Sequence, residues 1–246
     1  GQDEEWFTIV HFENEMKAGE IPGLILDSVQ LLAEDGRNAD KLVENLKNII
    51  KGVVAMNKTM RRMTEGCDPF IYYHRVRPYI RGWKNNPALP DGLIYTGVSE
   101  YKEKPQKFYG ATGAQSSIFP LLYAFFGMGF NKDAYLQYLK EMRECMPASH
   151  RRFVQFIEEA VEGGMSILDF AKENRSHNPE LIALCVHCLN SMVEFLETQH
   201  EHAQRYVEHQ AQRSSAEKTN IDAGEIQLMR CLQNHIAYLR EFSRSL

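Results

Sequence analysis

Apolar residues recur at three- and four-residue spacing along almost the whole chain, and no stretch keeps the strict alternation of a half-buried strand. Such a sequence closes a core by packing helices. Leu42, Leu46, Ile49, Ile50 and Val53 form one such stripe, and breaks at 19–23 and at Asp35-Gly36 divide 6–63 into three helical stretches. A further helix is expected after Asp68-Pro69, where Asp caps and Pro takes the first turn; it carries Tyr72, Tyr73, Arg77 and Trp83, with Pro78 kinking or ending it. Ser116-Ser117 opens another helix, and 133–146 and 150–163 give two more. Residues 179–210 form a long helix striped by Leu181, Leu184, Cys188, Met192 and Phe195; a polar loop over 210–220 and a last helix over 225–242 follow. The long interruption is 84–113, where Asn85-Asn86-Pro87, Leu89-Pro90-Asp91-Gly92 and Lys104-Pro105 forbid regular structure. Loops of that length inside compact domains are uncommon and usually functional. The fold class is all-α.

With 246 residues, the chain is long enough to bury about three quarters of its unfolded surface. A net charge of -5 offers no general attraction to nucleic acid or anionic lipid. The longest apolar run, 118–130, is broken by Pro120 and glycines and falls short of the roughly 20 residues that span a bilayer. Five cysteines, an odd number spread over a long chain, do not form the disulfide framework of a small secreted domain, so a reducing cytosol is the expected setting. The amino terminus carries no basic-then-apolar signal segment and starts almost directly on a helix, which suggests that sequence precedes it.

Nine histidines raise the question of a metal, and the densest group, His200, His202 and His209, lies on one helix. A solvated histidine-rich face is the plain alternative. His200 shares a stripe with Leu196, Ala203 and Val207; His202 shares the adjacent one with Phe195, Gln199 and Tyr206. A helix-borne histidine with no second ligand at helical spacing suits haem, which needs one axial residue, better than zinc, which needs three or four protein ligands. Cys185-Val186-His187-Cys188 sits inside an apolar helix and reads as core. His11 lies in the apolar segment Trp6-Phe7-Thr8-Ile9-Val10-His11-Phe12 and is by default a satisfied core histidine. Arg77, among Val76, Pro78, Tyr79 and Ile80, must meet an anion, either a protein carboxylate or that of a ligand. Gly110-Ala111-Thr112-Gly113-Ala114 places small residues and backbone donors just before a helix start, fitting either a tight turn or the close approach of a flat ligand.

These pieces occur in a specific order: Trp6-Phe7 then His11; Arg77-Pro78-Tyr79-Ile80-Arg81-Gly82-Trp83-Lys84-Asn85-Asn86-Pro87; Asp91-Gly92-Leu93-Ile94-Tyr95; 110–117 ending in Gln-Ser-Ser; and Met142-Arg143-Glu144-Cys145-Met146-Pro147 followed by His150-Arg151-Arg152-Phe153. In this the chain resembles the indoleamine 2,3-dioxygenase family from about residue 3 to its end. The resemblance implies a helical bundle around a b-type haem (haem b) with O2 as co-substrate, both oxygen atoms entering across the indole 2,3 bond of tryptophan or a related indole to give an N-formylkynurenine-type product. It implies His200 as proximal ligand, with His202 the alternative. Arg77 would pair with the substrate carboxylate, and Phe7 and Tyr72 would wall the indole. Gly110, Ala111 and Gly113 would lie against the cofactor, Thr112 and Gly113 against oxygen and substrate, and His11 would meet the indole N–H.

The chain also departs from the family pattern. The Arg expected three residues before the proximal histidine is Glu197, and the Asp expected after Gln-Ser-Ser is Tyr123, a joint change that fits loss of an ion pair beside the haem. The Gly-Thr-Gly-Gly segment that closes over substrate is reduced to Ala223-Gly224. The family's smaller amino-terminal domain is absent, so 1–246 is expected to be one helical haem-binding domain served by a separate domain or partner chain. Two alternatives stay open: a haem- or oxygen-binding protein without turnover, and a haem enzyme acting on a different indole.

Overall fold

The stripe at Leu42 to Val53 becomes the core-facing side of a helix, α3 (Ala39–Arg61), because both of its ends are satisfied locally. The Asn38 side chain accepts from the Lys41 amide at 3.0 Å, Asp40 sits in the first turn, and Lys58 and Arg61 sit in the last. The computed structural model describes residues 1–34, 38–84, 86, 88–129, 133–213 and 223–246, with the side chains of 223–226 outside the description. Before α3 come α1 (Gln2–Lys17) and α2 (Ile21–Ala33), both packed on it. The first break is therefore short, and Gly23 lies inside α2; the expected break at Asp35-Gly36 falls outside the described residues.

A short helix, α4 (Met63–Gly66), precedes the segment headed by Asp68, whose carboxylate accepts from the amides of Phe70 and Ile71. That segment runs through α5 (Pro69–Ile71), a π turn (Tyr72–Val76) and α6 (Arg77–Ile80). Pro78 follows the π turn, where one residue is accommodated beyond the α pitch, and the helix stops at Ile80, so Trp83 is not on it. The described residues of 81–117 are irregular but folded. Leu93 and Gln106 exchange backbone hydrogen bonds of 3.0 and 2.8 Å, the Trp83 Nε1–H donates to Tyr95 Oη at 2.6 Å, and the Ala111 amide donates to the Ile80 carbonyl at 2.9 Å. The backbone crosses itself here: a Cβ on Gly110 would stand 2.0 Å from the Ile80 carbonyl oxygen, and Gly82, at φ +73°, would place one 2.3 Å from the Gly110 nitrogen. No larger residue fits either position without moving backbone.

The wholly apolar α7 (Ile118–Phe125) is buried along its length. The amphipathic α8 (Ala134–Met142) is capped by Asp133, which accepts from Leu136 at 2.8 Å, and ends earlier than expected in a 3-10 turn (Arg143–Cys145). Then come α9 (Ala148–Glu162) and α10 (Ile167–Glu173), the latter absent from the sequence expectation although Ser166 supplies a side-chain cap to Asp169. The long α11 (Pro179–Ala203) continues through a second π turn (Gln204–Glu208) into α12 (His209–Arg213), so 210–213 are helical, with Gln210 buried, and the rest of the expected loop lies outside the described residues. Last is α13 (Ala223–Arg244).

Helix α11 packs against α3 on one side and α13 on the other, and buried side chains from α1 to α13 join in one core cluster. By length and composition, 179–213 is apolar enough to cross a membrane, but 61% of its most apolar window is buried, as a core helix requires. Cys185 and Cys188 lie fully buried on α11, with burial pushing the Cys185 thiol up to about 12, which makes them packing residues. Arg143 clamps Glu158 through two hydrogen bonds of 2.7 Å, tying the 3-10 turn to α9.

Candidate functional site

Helix α1 presents Phe7, His11 and Asn14 one turn apart on a single face. That face forms a wall of two adjoining cavities, of about 490 and 260 Å³. Both are lined by Phe7, His11, Met60, Thr112, Gly113 and Tyr135; the larger also reaches Met56, Phe119, Phe195 and Leu196, and the smaller Tyr72, Tyr138, His202 and Tyr206. An aromatic chain frames the smaller cavity. Ring centroids are 4.3 Å apart for Phe7 and His11, 5.0 Å for Phe7 and Tyr72, 5.5 Å for Tyr72 and Tyr206, and 5.8 Å for Tyr206 and His202. The Tyr206 hydroxyl donates to the Cys67 carbonyl at 2.8 Å, which fixes its ring edge-on to Tyr72.

The two imidazoles on this space are electrostatically alike. Burial holds the His11 pKa below its ordinary value, against a backbone hydrogen bond and Glu15, which raise it. Burial takes His202 down to about 4, with His11, Arg205 and Arg61 acting the same way. Both rings are therefore neutral near pH 7. His11 Nδ1 lies 2.9 Å from the Phe7 carbonyl, which only accepts, so Nδ1 carries the hydrogen and Nε2 keeps its lone pair. Thr112 caps the 3-10 turn (Gly113–Gln115) by accepting from Ala114 at 3.4 Å and is hydrogen-bonded to Tyr138, whose phenol burial pushes up. A Cβ on Gly113 would meet Gln199 Nε2 at 3.6 Å and nothing closer, so this segment leaves room. Ala111, Thr112 and Gly113 are exposed, and the cavity is open to solvent along that edge.

The structure thus brings together Phe7, His11, Tyr72, Ala111, Thr112, Gly113 and His202. It does not bring in the other three positions expected there. Gly110 lines neither cavity; its missing side chain serves the backbone crossing at Ile80. His200 is half-buried beside the cavity helix face but lines neither space, because residues 199, 202, 203 and 206 turn inward there. Arg77 is 6% exposed, sits 5.2 Å over the Tyr73 ring, and borders a separate cleft of about 260 Å³ with His74 and Arg81. The π turn explains this: it directs Tyr72 and Val76 to the cavities and leaves Arg77 on the far side.

A second layer was not visible in the sequence. His235 of α13, 0% exposed, has Nδ1 2.5 Å from Asp133 and Nε2 2.8 Å from the Tyr123 hydroxyl. Hydrogen bonds to His235 and to backbone amides hold the Asp133 carboxyl below its ordinary pKa despite the opposing effect of burial, and burial keeps the Tyr123 phenol protonated. The proton order that satisfies all three is Tyr123 O–H to Nε2 and Nδ1–H to the carboxylate. Tyr135, a wall of both cavities, tilts over the His235 ring at 5.0 Å. Glu197 is ion-paired with Arg240, also of α13. The expected loss of an ion pair is therefore a re-pairing: both altered positions are taken up by α13. Asn14, Gln199, Tyr135 and Tyr138 are wall residues that the sequence reading did not single out; Asn14 and Gln199 lie one turn from His11 and His202, a legible signal. Among the described residues no three His, Cys, Asp or Glu side chains converge as a metal site.

A family model described as indoleamine 2,3-dioxygenase matches residues 1–237. Among curated relatives, indoleamine 2,3-dioxygenase 2 of Homo sapiens is 35% identical over 123 residues, covering 50% of this chain and 29% of the relative. Indoleamine 2,3-dioxygenase acdA of Aspergillus candidus is 34% identical over 163 residues, 63% of this chain and 39% of the relative. Indoleamine 2,3-dioxygenase of Saccharomyces cerevisiae is 24% identical over 185 residues, 71% and 39%. The chain spans less than two fifths of the length of each of these relatives.

Proposed function

The chain belongs to the indoleamine 2,3-dioxygenase family, and from that premise we propose that it is the haem-binding part of a dioxygenase that inserts O2 across the 2,3 bond of tryptophan or a related indole. The observation that carries this reading is one aromatic-walled space flanked by two neutral imidazoles on opposite helices, α1 and α11. Its residues fit a haem: a neutral, desolvated His202 would have a lone pair to offer the iron, Gly113 leaves a flat ligand room, and Met60, Phe195 and Leu196 are apolar walls. On placement His202 is the favoured ligand of α11, where the sequence order favoured His200. When bound, haem supplies the chemistry that activates dioxygen, and the protein supplies orientation, dryness and hydrogen bonds. Phe7 and Tyr72 hold the indole by its faces. His11 Nε2 accepts the indole N–H, and Thr112 offers a hydroxyl at the reacting edge. The free state of all five cysteines supports a reducing compartment such as the cytosol.

A second reading, a haem-binding family member without turnover, is favoured by the position of Arg77 outside the cavities and by the open edge at 111–113. A separate amino-terminal domain that covers this edge would favour the enzyme. The test is the absorption spectrum of the haemin-loaded chain, reduced and with carbon monoxide: absence of a Soret band sinks both haem readings. His202→Ala is expected to abolish that band and His200→Ala to keep it. With haem in place, N-formylkynurenine absorbance on adding L-tryptophan separates enzyme from binder.

A further inference from the structure

Tyr123, His235 and Asp133 form a hydrogen-bonded row of titratable groups that the dioxygenase reading does not use. The Tyr123 hydroxyl donates to His235 Nε2 at 2.8 Å, and His235 Nδ1 lies 2.5 Å from the Asp133 carboxylate. Tyr123 and His235 are 0% exposed, whereas the Asp133 side chain keeps 27% of its surface in water. A neutral phenol that loses an electron becomes a strong acid, so the electron leaves far more readily when a base within hydrogen-bond reach takes the proton in the same step. His235 is such a base, and the imidazolium it becomes stands against the Asp133 carboxylate, as the charged imidazole does in hydrolytic triads. The tyrosines elsewhere are placed differently: Tyr206 donates to a backbone carbonyl, which cannot keep a proton, and Tyr109 donates to Glu141 at the exposed surface. Rings also join this row to the cavities. Phe119 lies 6.1 Å from Tyr123 and stacks on Phe195 at 5.0 Å, and both phenylalanines line the larger cavity. Tyr135, a wall of both cavities, lies 5.0 Å from the His235 ring.

We propose that Tyr123 is a redox-active tyrosine, which gives one electron to an oxidised group in the cavities while its phenolic proton passes to His235 Nε2. The O–H bond breaks, an N–H bond forms, and the oxidant gains the electron; a neutral tyrosyl radical and an imidazolium–carboxylate pair remain. The oxidant is a haem that has lost electrons to hydrogen peroxide, so the proposal rests on the reading that the cavities hold haem. It adds a function separate from indole oxidation. Met56 and Met60 line the larger cavity, and their thioethers are open to oxidation to sulfoxides. A buried phenol that is oxidised first draws the oxidising equivalent away from them and keeps the radical out of contact with solvent.

The test compares the native chain with Tyr123→Phe, which keeps the ring, and with His235→Gln, which keeps a hydrogen-bonding side chain but no basic nitrogen. Haemin-loaded protein is mixed with stoichiometric hydrogen peroxide and freeze-quenched for electron paramagnetic resonance. The native chain gives a tyrosyl radical signal, and Tyr123→Phe and folded His235→Gln both lose most of it. Should His235→Gln fail to fold, Tyr123→Phe carries the comparison. Peptide mass spectra of the same mixtures show more sulfoxide at Met56 and Met60 in Tyr123→Phe than in the native chain. In a second arm, the chain without haemin is oxidised by azide radicals from pulse radiolysis, each of which takes one electron and leaves as azide. Here the phenoxyl absorption decays more slowly in the native chain than in Tyr123→Phe. The proposal is overturned by a Soret band without a tyrosyl radical, by a signal as large in Tyr123→Phe as in the native chain, by a folded His235→Gln that keeps the radical, or by sulfoxide levels that ignore the substitution. If haemin gives no Soret band while the slow phenoxyl decay still requires Tyr123, the haem reading fails and the redox tyrosine stands; if both are missing, both fail.

Discussion

On the α1 side of the cavity each wall residue is presented directly by its own helix: Phe7, His11 and Asn14 follow one another by turns, and the His11 ring is held by the Phe7 carbonyl one turn back. The opposite side is assembled at second hand. Tyr135 leans on His235, which is held by Asp133 and Tyr123, and α11 is braced through Glu197 by Arg240, both braces coming from α13 near the carboxyl end of the chain. The first wall is local and partly open to water; the second is remote and closed. A site built this way confines its long-range cooperativity to one side, where a single substitution in α13 reaches the cavity without touching it.

The largest expected effect tests that asymmetry. His235→Leu removes the side-chain hydrogen bonds that the half-buried Asp133 carboxylate and the buried Tyr123 hydroxyl make to the imidazole, and is expected to cost about 3–4 kcal/mol in urea unfolding, against roughly 1–2 kcal/mol for Phe7→Ala on the half-buried wall. Equal costs would end the distinction between the two walls. Tyr123→Phe, which removes one of the two bonds and keeps the ring, should fall between them.

Next in size is a pH effect carried by His202. Its folded pKa of about 4 lies below the ordinary imidazole value of 6.5, so between those values the unfolded chain binds the extra proton and the folded chain does not. Stability from this residue is therefore complete above pH 6.5 and is lost as the pH falls toward 4, by ~2 kcal/mol after allowance for its partial exposure. Unfolding curves at pH 7 and 4.5 for the native chain and His202→Phe measure it, and a pH slope that survives the substitution assigns the effect elsewhere.

The smallest expected effect is that of Glu197→Gln. The Glu197–Arg240 pair is partly solvent-exposed on both sides, so its loss should cost about 0.5 kcal/mol in urea unfolding. A cost several times larger would make the pair, rather than His235, the main brace between α11 and α13.

How far the sequence carried the reading follows from distance along the chain. Helices α1, α2, α3, α8, α9, α11 and α13 are legible because amphipathic spacing and side-chain caps act within a few residues, and the order of motifs singles out Phe7, Tyr72 and the segment around Thr112, which line the two cavities. Two π turns were not legible, since a one-residue change of helical phase leaves no mark in composition, yet they decide that Arg77 faces a separate cleft and sit next to the His202 register. Gly110 looked like a ligand-facing glycine and is a backbone-crossing glycine, a difference set by a carbonyl thirty residues earlier in the chain. Asp133 and His235 are 102 positions apart, and no spacing rule pairs them.

The sequence by itself determined the helical class, the family, and the residue types available to the site, because periodicity, capping and motif order are local properties. Only the tertiary structure decided which of those residues share a cavity, which histidine of α11 turns inward, and that the two altered positions, Tyr123 and Glu197, are each re-paired by α13. Those outcomes depend on helix phase and on contacts across the core, which exist only once the chain has packed.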